Sequence, residues 1–152
     1  MAVKAMSYLR KSRTCSVAVP RMPSGNANES DGVYTFGGAI GNDQWKLVRR
    51  VKAGSTWHPA TDQFEGTDVY GTYDPSHKSD STFCIAFKDM GCEQFLVASG
   101  DMSVWLIATK DVISGSYYSE KRAILKSSTS SSAYEAFWLR RSANKEVYII
   151  YC

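Results

Sequence analysis

Apolar residues along the chain fall into short runs separated by turn chemistry. VYTF from Val33, WKLVRRV from Trp45, TDVYGTY from Thr67 and TFCIAF from Thr82 are of strand length and rich in β-branched and aromatic residues. The second half repeats the theme with FLVA from Phe95, VWLIA from Val104, AFWL from Ala136 and VYIIY from Val147. Runs without polar alternation, such as VWLIA and VYIIY, predict strands covered on both faces.

The punctuation between the runs predicts how some of them pair. Ser99–Ser103, with Gly100 and Asp101 inside it, is a link of hairpin length, so Phe95–Ala98 is expected to lie antiparallel to Val104–Ala108. Lys88–Gly91 is a similar turn signal, which extends the expectation to a three-strand meander beginning at TFCIAF. Tyr117–Lys126 contains good helix formers on adjacent ridges and predicts a short helix, and Trp57–Glu65 predicts another helical turn with Pro59 near its start. Ser127–Ser132 reads as an exposed loop. The fold class expected is α+β and strand-dominated: an antiparallel sheet with one or two short helices.

Composition adds the domain organisation. A chain of 152 residues with a substantial apolar fraction supports one globular domain with its own core. Residues 32–152 are assigned to that strand-rich domain, and 1–31, with Pro20, Pro23 and Gly25, to a basic, flexible arm. The net charge of +3 comes from the arm: Lys4, Arg10, Lys11, Arg13 and Arg21 all precede the first acid, Glu29, and the remainder is mildly acidic. An acid-free basic leader rich in Ser and Thr fits an organelle transit peptide or a plain basic tail. No apolar run is long enough for a membrane span.

Most chemical signatures are missing. His58, His77, Cys84 and Cys92 match no zinc spacing, so no metal is expected. Asp62, Glu65 and Asp68 lack the alternating oxygens of a calcium loop and read as a solvated acidic loop. No nucleophile elbow or phosphate-binding glycine loop occurs, and no cofactor is expected. Arg49-Arg50 and Arg140-Arg141 sit among aromatics, but each pair ends an apolar strand, where it is expected to cap the sheet or pair with acids, so nucleic acid is not the expected partner. Cys15, Cys84, Cys92 and Cys152 leave readings open: a disulfide between Cys84 and Cys92, which flank a turn, with Cys15 and Cys152 pairing only where the ends of the domain meet, or four buried, idle thiols.

One constellation suits binding. Trp57 and His58, followed by Asp62, Asp68 and Tyr70, combine aromatic faces that stack on a sugar with side chains that hydrogen-bond its hydroxyls. These five residues are the ligand-binding candidates, set against the alternative that Trp57 and Tyr70 only complete the core.

The order Cys15, DGVYTF from Asp31 and QWKLVRRVKAGS from Gln44 resembles the opening of fibrinogen C-terminal-like domains. Val33, Tyr34, Trp45, Leu47, Val48, Arg49, Arg50, Gly54 and Ser55 carry the match, which covers about the first third of the chain. The cysteine the family places just before the tryptophan is absent between Phe36 and Gln44, and the sequence stops short of the family's distal calcium loop and ligand pocket. The resemblance implies a partial fibrinogen-like or intelectin-like architecture, secreted and often lectin-like, with no functional residue carried over. The function expected is therefore non-enzymatic recognition of a glycan or glycoprotein. The alternative is an accessory subunit, organellar if the leader targets it, whose partners are the protein subunits of a larger assembly.

Overall fold

The computed structural model describes residues 32–51, 62–76, 81–114, 121–137 and 148–151, with the side chains of residues 137 and 148–151 left out of account. Among the described residues there are ten strands: β1 Val33–Tyr34, β2 Trp45–Val51, β3 Tyr70–Gly71, β4 Phe83–Cys84, β5 Gln94–Ser99, β6 Trp105–Thr109, β7 Lys121–Ile124, β8 Lys126–Ser127, β9 Tyr134–Phe137 and β10 Tyr148–Tyr151. A short helix, α1 Lys110–Ile113, follows β6. Each of the eight apolar runs contributes a strand, and the strand-dominated, antiparallel character expected from the pattern is what the chain adopts.

The main sheet runs β3-β4-β2-β10-β5-β6-β8, with β1 also on β2, and β7 and β9 form a separate pair. The β5–β6 hairpin has the expected register, Phe95 opposite Ala108 and Ala98 opposite Trp105. The meander does not form. After β4 the chain makes its turn at Lys88–Gly91, but β10 has taken the place beside β5, and β4 pairs with β2 and β3 instead. A strand from the far end of the sequence outcompetes the local partner because it offers residues for both neighbours at once: Tyr148–Tyr151 pairs with Leu47–Val51 on one side and Leu96–Ser99 on the other.

The described part of Tyr117–Lys126, expected to be helical, is not a helix. Lys121–Ile124 and Lys126–Ser127 are strands, while residues 115–120 lie outside the described residues. Helix propensity in this stretch is overridden by pairing with β9 and β6. Likewise, the described end of the second expected helix, Asp62–Glu65, is a turn in which Gln63 and Phe64 have positive φ.

Period-two alternation puts a core on each face of the sheet. Trp45, Leu47, Phe83, Leu96, Ala98, Trp105 and Ile107 join Tyr34, Phe36 and Ile40 on one face. Val48, Cys84, Phe95, Leu106 and Ala108 join Phe87, Ile113, Ile124 and Ala136 on the other. The expectation of two covered faces therefore holds for β6, where Trp105–Ala108 are all buried.

The alternation is broken once, in β2. The register against β10 shifts so that Ile150 faces Arg49 but Tyr151 faces Leu47. An extra residue in β2 at this point places Val48 and Arg49 on the same face and Arg50 on the opposite one. Neither arginine caps the strand: Arg49 and Arg50 are 2% and 1% exposed. The Arg49 guanidinium lies 5.3 Å from the Phe64 ring centre and 5.4 Å from that of Tyr70. Arg50 lies 5.4 Å from the Phe83 ring and donates to Asp74 O at 2.9 Å and Ser76 O at 2.6 Å. Between those two carbonyls, Pro75 O accepts from the Tyr34 hydroxyl.

Because a lysine has one nitrogen where Arg50 uses two, held in a plane, to reach Asp74 O and Ser76 O, Arg50→Lys is expected to lower stability by about 2 kcal/mol. The urea midpoint checks it; an unchanged midpoint means the fork contributes nothing.

Candidate functional site

Of the five binding candidates, Trp57 and His58 lie outside the described residues. The structure joins Asp62 to Asp68 in the segment that leads into β3, and Tyr70 lies in β3 itself. Asp62 turns its carboxylate inward. Its Oδ2 accepts from the backbone N–H groups of Gly66 at 2.8 Å, Thr67 at 2.7 Å and Asp68 at 2.9 Å, and its Oδ1 from Phe64 N at 3.1 Å. The Asp62 N–H in turn donates to Asp68 Oδ2 at 3.2 Å. The acidic loop is thus a nest of backbone donors closed around one carboxylate rather than a solvated run. Tyr70 is half-buried against the second core and under Arg49. Among the described residues no group of three or more His, Cys, Asp or Glu side chains is placed to hold a metal ion.

The nest supports its neighbour. Gly66 O accepts from Phe87 N at 3.0 Å and Lys88 N at 3.1 Å. Gly66 has φ +89°, and a Cβ there would lie 2.5 Å from Lys88 N, so only glycine allows this approach. Phe87 and Lys88 begin the turn that carries Met90–Gln94.

The expected Cys84–Cys92 bridge is corrected by the structure. Cys84 is a free, buried thiol, and Cys92 is in a disulfide whose partner lies outside the described residues. Cys84 points into the second core from β4, which leaves the turn after it free to carry Cys92 to another cysteine. Burial pushes the Cys84 thiol up to about 11; Arg49 works against that rise, and Asp62 and Asp68 add to it.

A site that the sequence did not reveal lies at one end of the sheet. β2 and β5 each run antiparallel to β10, so they run parallel to one another and start at the same end. The segments at their starts, Asp43–Lys46 and Met90–Gln94, line an open cleft of about 610 Å³. Asp43, Gln44, Glu93 and Gln94 are exposed along it and offer both hydrogen-bond donors and acceptors. Met90, 46% exposed, is its apolar surface. Lys46 also lines it, although its Nζ lies 5.4 Å over the Tyr73 ring. Polar residues just ahead of two apolar strands are visible in the sequence, but their meeting depends on β10.

In comparisons with known proteins the chain matches no family model, no curated protein and no solved structure.

Two outcomes are expected here. Asp62→Ala strands four backbone donors, so stability is expected to fall by about 2 kcal/mol, checked by chemical denaturation. The second concerns pH. The folded thiol of Cys84 titrates at about 11 against 9.0 unfolded, so the folded state holds the proton longer and stability is expected to fall as pH rises from about 9 to about 11. Urea midpoints across that range, compared with those of Cys84→Ala, check the assignment: a fall of the same steepness in the variant removes it.

Proposed function

We propose that this chain is a non-enzymatic recognition module of lectin-like character that takes a glycan or glycoprotein at the cleft between Asp43–Lys46 and Met90–Gln94. The observation that carries the reading is the cleft's lining: carboxylates and amides of both walls beside the exposed Met90 side chain, at the starts of two sheet strands. Sugars present hydroxyls that need paired donors and acceptors, and C–H faces that need apolar contact. Asp43 and Glu93 are the acceptors, Gln44 and Gln94 supply both functions, and Met90 is the contact surface. Asp62, Asp68 and Tyr70 then serve as the support of the Met90–Gln94 wall.

Other features fit this reading. The thiol of Cys84 is buried and held protonated, the opposite of what a nucleophile requires. A disulfide at Cys92 suits an oxidising compartment, in keeping with the secreted location that a fibrinogen-like relationship implies. The buried positions of Trp45, Leu47 and Val48 suit the structural role that resemblance gives them. Among the described residues no helix is long and apolar enough to cross a membrane.

A glycan array followed by calorimetry tests the proposal. Binding is expected, and Asp43→Ala or Glu93→Ala is expected to weaken it about tenfold, equivalent to about 1.4 kcal/mol. An array with no signal, together with a stable protein partner on copurification, turns the reading to an accessory subunit.

A further inference from the structure

Each wall of the cleft presents one exposed carboxylate, Asp43 on the first and Glu93 on the second. Among the described residues neither side chain is hydrogen-bonded or paired with a cation. The ammonium groups around them are engaged elsewhere. Lys46 holds its Nζ 5.4 Å over the Tyr73 ring, and Lys126, which lies with Asp43 beside Gly41, donates to Ile40 O at 2.6 Å. Lys110 meets Glu93 through its backbone N–H, at 2.9 Å from Glu93 O. Lys88 and Asp89, exposed at the approach to the second wall, offset one another. The charge left without a partner in the cleft is negative.

A group of the opposite hydrogen-bonding kind is also left over. Trp45 is 4% exposed and forms part of the lining, and its buried indole N–H has no acceptor among the described residues. A buried donor without a partner destabilises the free protein, so a ligand oxygen that reaches it from the cleft is favoured.

We propose that the cleft takes a sugar with a free, protonated amine, a hexosamine, in preference to a neutral or an acidic sugar. The inference rests on the cleft being the recognition site and names the class of its ligand. A hydroxyl satisfies a carboxylate by hydrogen bonding alone. An ammonium group adds Coulombic attraction to both Asp43 and Glu93, and its hydrogen bonds to them are charge-assisted. A uronic acid brings like charge to both walls, which rejects it. The sugar's neutral oxygens meet the other demand, since a ring or hydroxyl oxygen is an acceptor for the Trp45 indole, while the C–H face lies against Met90. A simple amine meets the first demand only and a neutral sugar the second only; an amino sugar meets both.

Titration of the nitrogen-15-labelled full chain at low salt, followed by NMR, tests the assignment with glucosamine, glucose, glucuronate and cyclohexylamine as probes. Glucosamine is expected to bind about tenfold more tightly than glucose and to move the Trp45 indole resonance. Most of that advantage is expected to disappear in about 0.5 M salt, and glucuronate is expected not to bind. In the double variant Asp43→Asn, Glu93→Gln, which keeps the side-chain shapes without their charge, the ratio of the two affinities is expected to fall to about one. Equal binding of glucosamine and glucose by the unaltered protein, or binding of glucuronate as tight as either, overturns the amine class and leaves the recognition reading in place. If no sugar binds, both readings fail, and cyclohexylamine bound alone then marks the cleft as a site for simple amines.

Discussion

Two adjacent guanidinium groups buried on opposite faces of one strand constrain most of what surrounds them. An arginine stays charged at any ordinary pH, and removing its charge from water costs several kcal/mol unless the surroundings replace the lost solvation. Arg49 and Arg50 sit in β2 near the middle of the main sheet, and each recruits its own solvating shell. On one face Phe64 and Tyr70 present their rings to Arg49; on the other, Phe83 and the carbonyls of Asp74 and Ser76 receive Arg50. The chain from Phe64 to Ser76 thus supplies both faces of the same strand, crossing between them through β3. The bulge in β2 makes this possible, because without the extra residue Arg49 would face the side of Trp45 and Leu47.

The candidate site depends on this arrangement at second hand. Fixing Phe64 and Tyr70 brackets the loop between them, and the Asp62 carboxylate closes that loop by collecting its backbone donors. The closed loop offers Gly66 O to Phe87 and Lys88, and so sets where the Met90–Gln94 wall begins. A recognition surface built in this way has little ordering left to do when a ligand arrives, which favours affinity. Asp62 holds the geometry of its loop and does not line the cleft.

The cysteines divide along the same line between core and surface. Cys84, inside the sheet, behaves as a small apolar residue whose thiol keeps its proton. Cys92, on an otherwise exposed wall, is covalently bound. Burial keeps the Cys84 thiol protonated and so a poor attacker of the disulfide at Cys92.

The sequence by itself determined eight of the ten described strands. Apolar runs of strand length, β-branched and aromatic, form strands wherever a partner is available, and the Ser99–Ser103 link settled the β5–β6 register because a short turn leaves few alternatives. It placed Asp62, Asp68 and Tyr70 near one another along the chain, but did not show the inward turn of the Asp62 carboxylate or the place of Tyr70 under Arg49. Tertiary structure decided the rest. Only the whole fold could place β10 between β2 and β5, deny β4 its local partner, and turn Lys121–Ile124 into a strand, because each outcome is a competition among distant segments for the same row of hydrogen-bonding groups. The burial of Arg49 and Arg50 follows from a bulge that depends on register, not composition. The cleft arises from the same cause: its walls are far apart in sequence, and they meet because a third strand holds β2 and β5 parallel with their starts at one end.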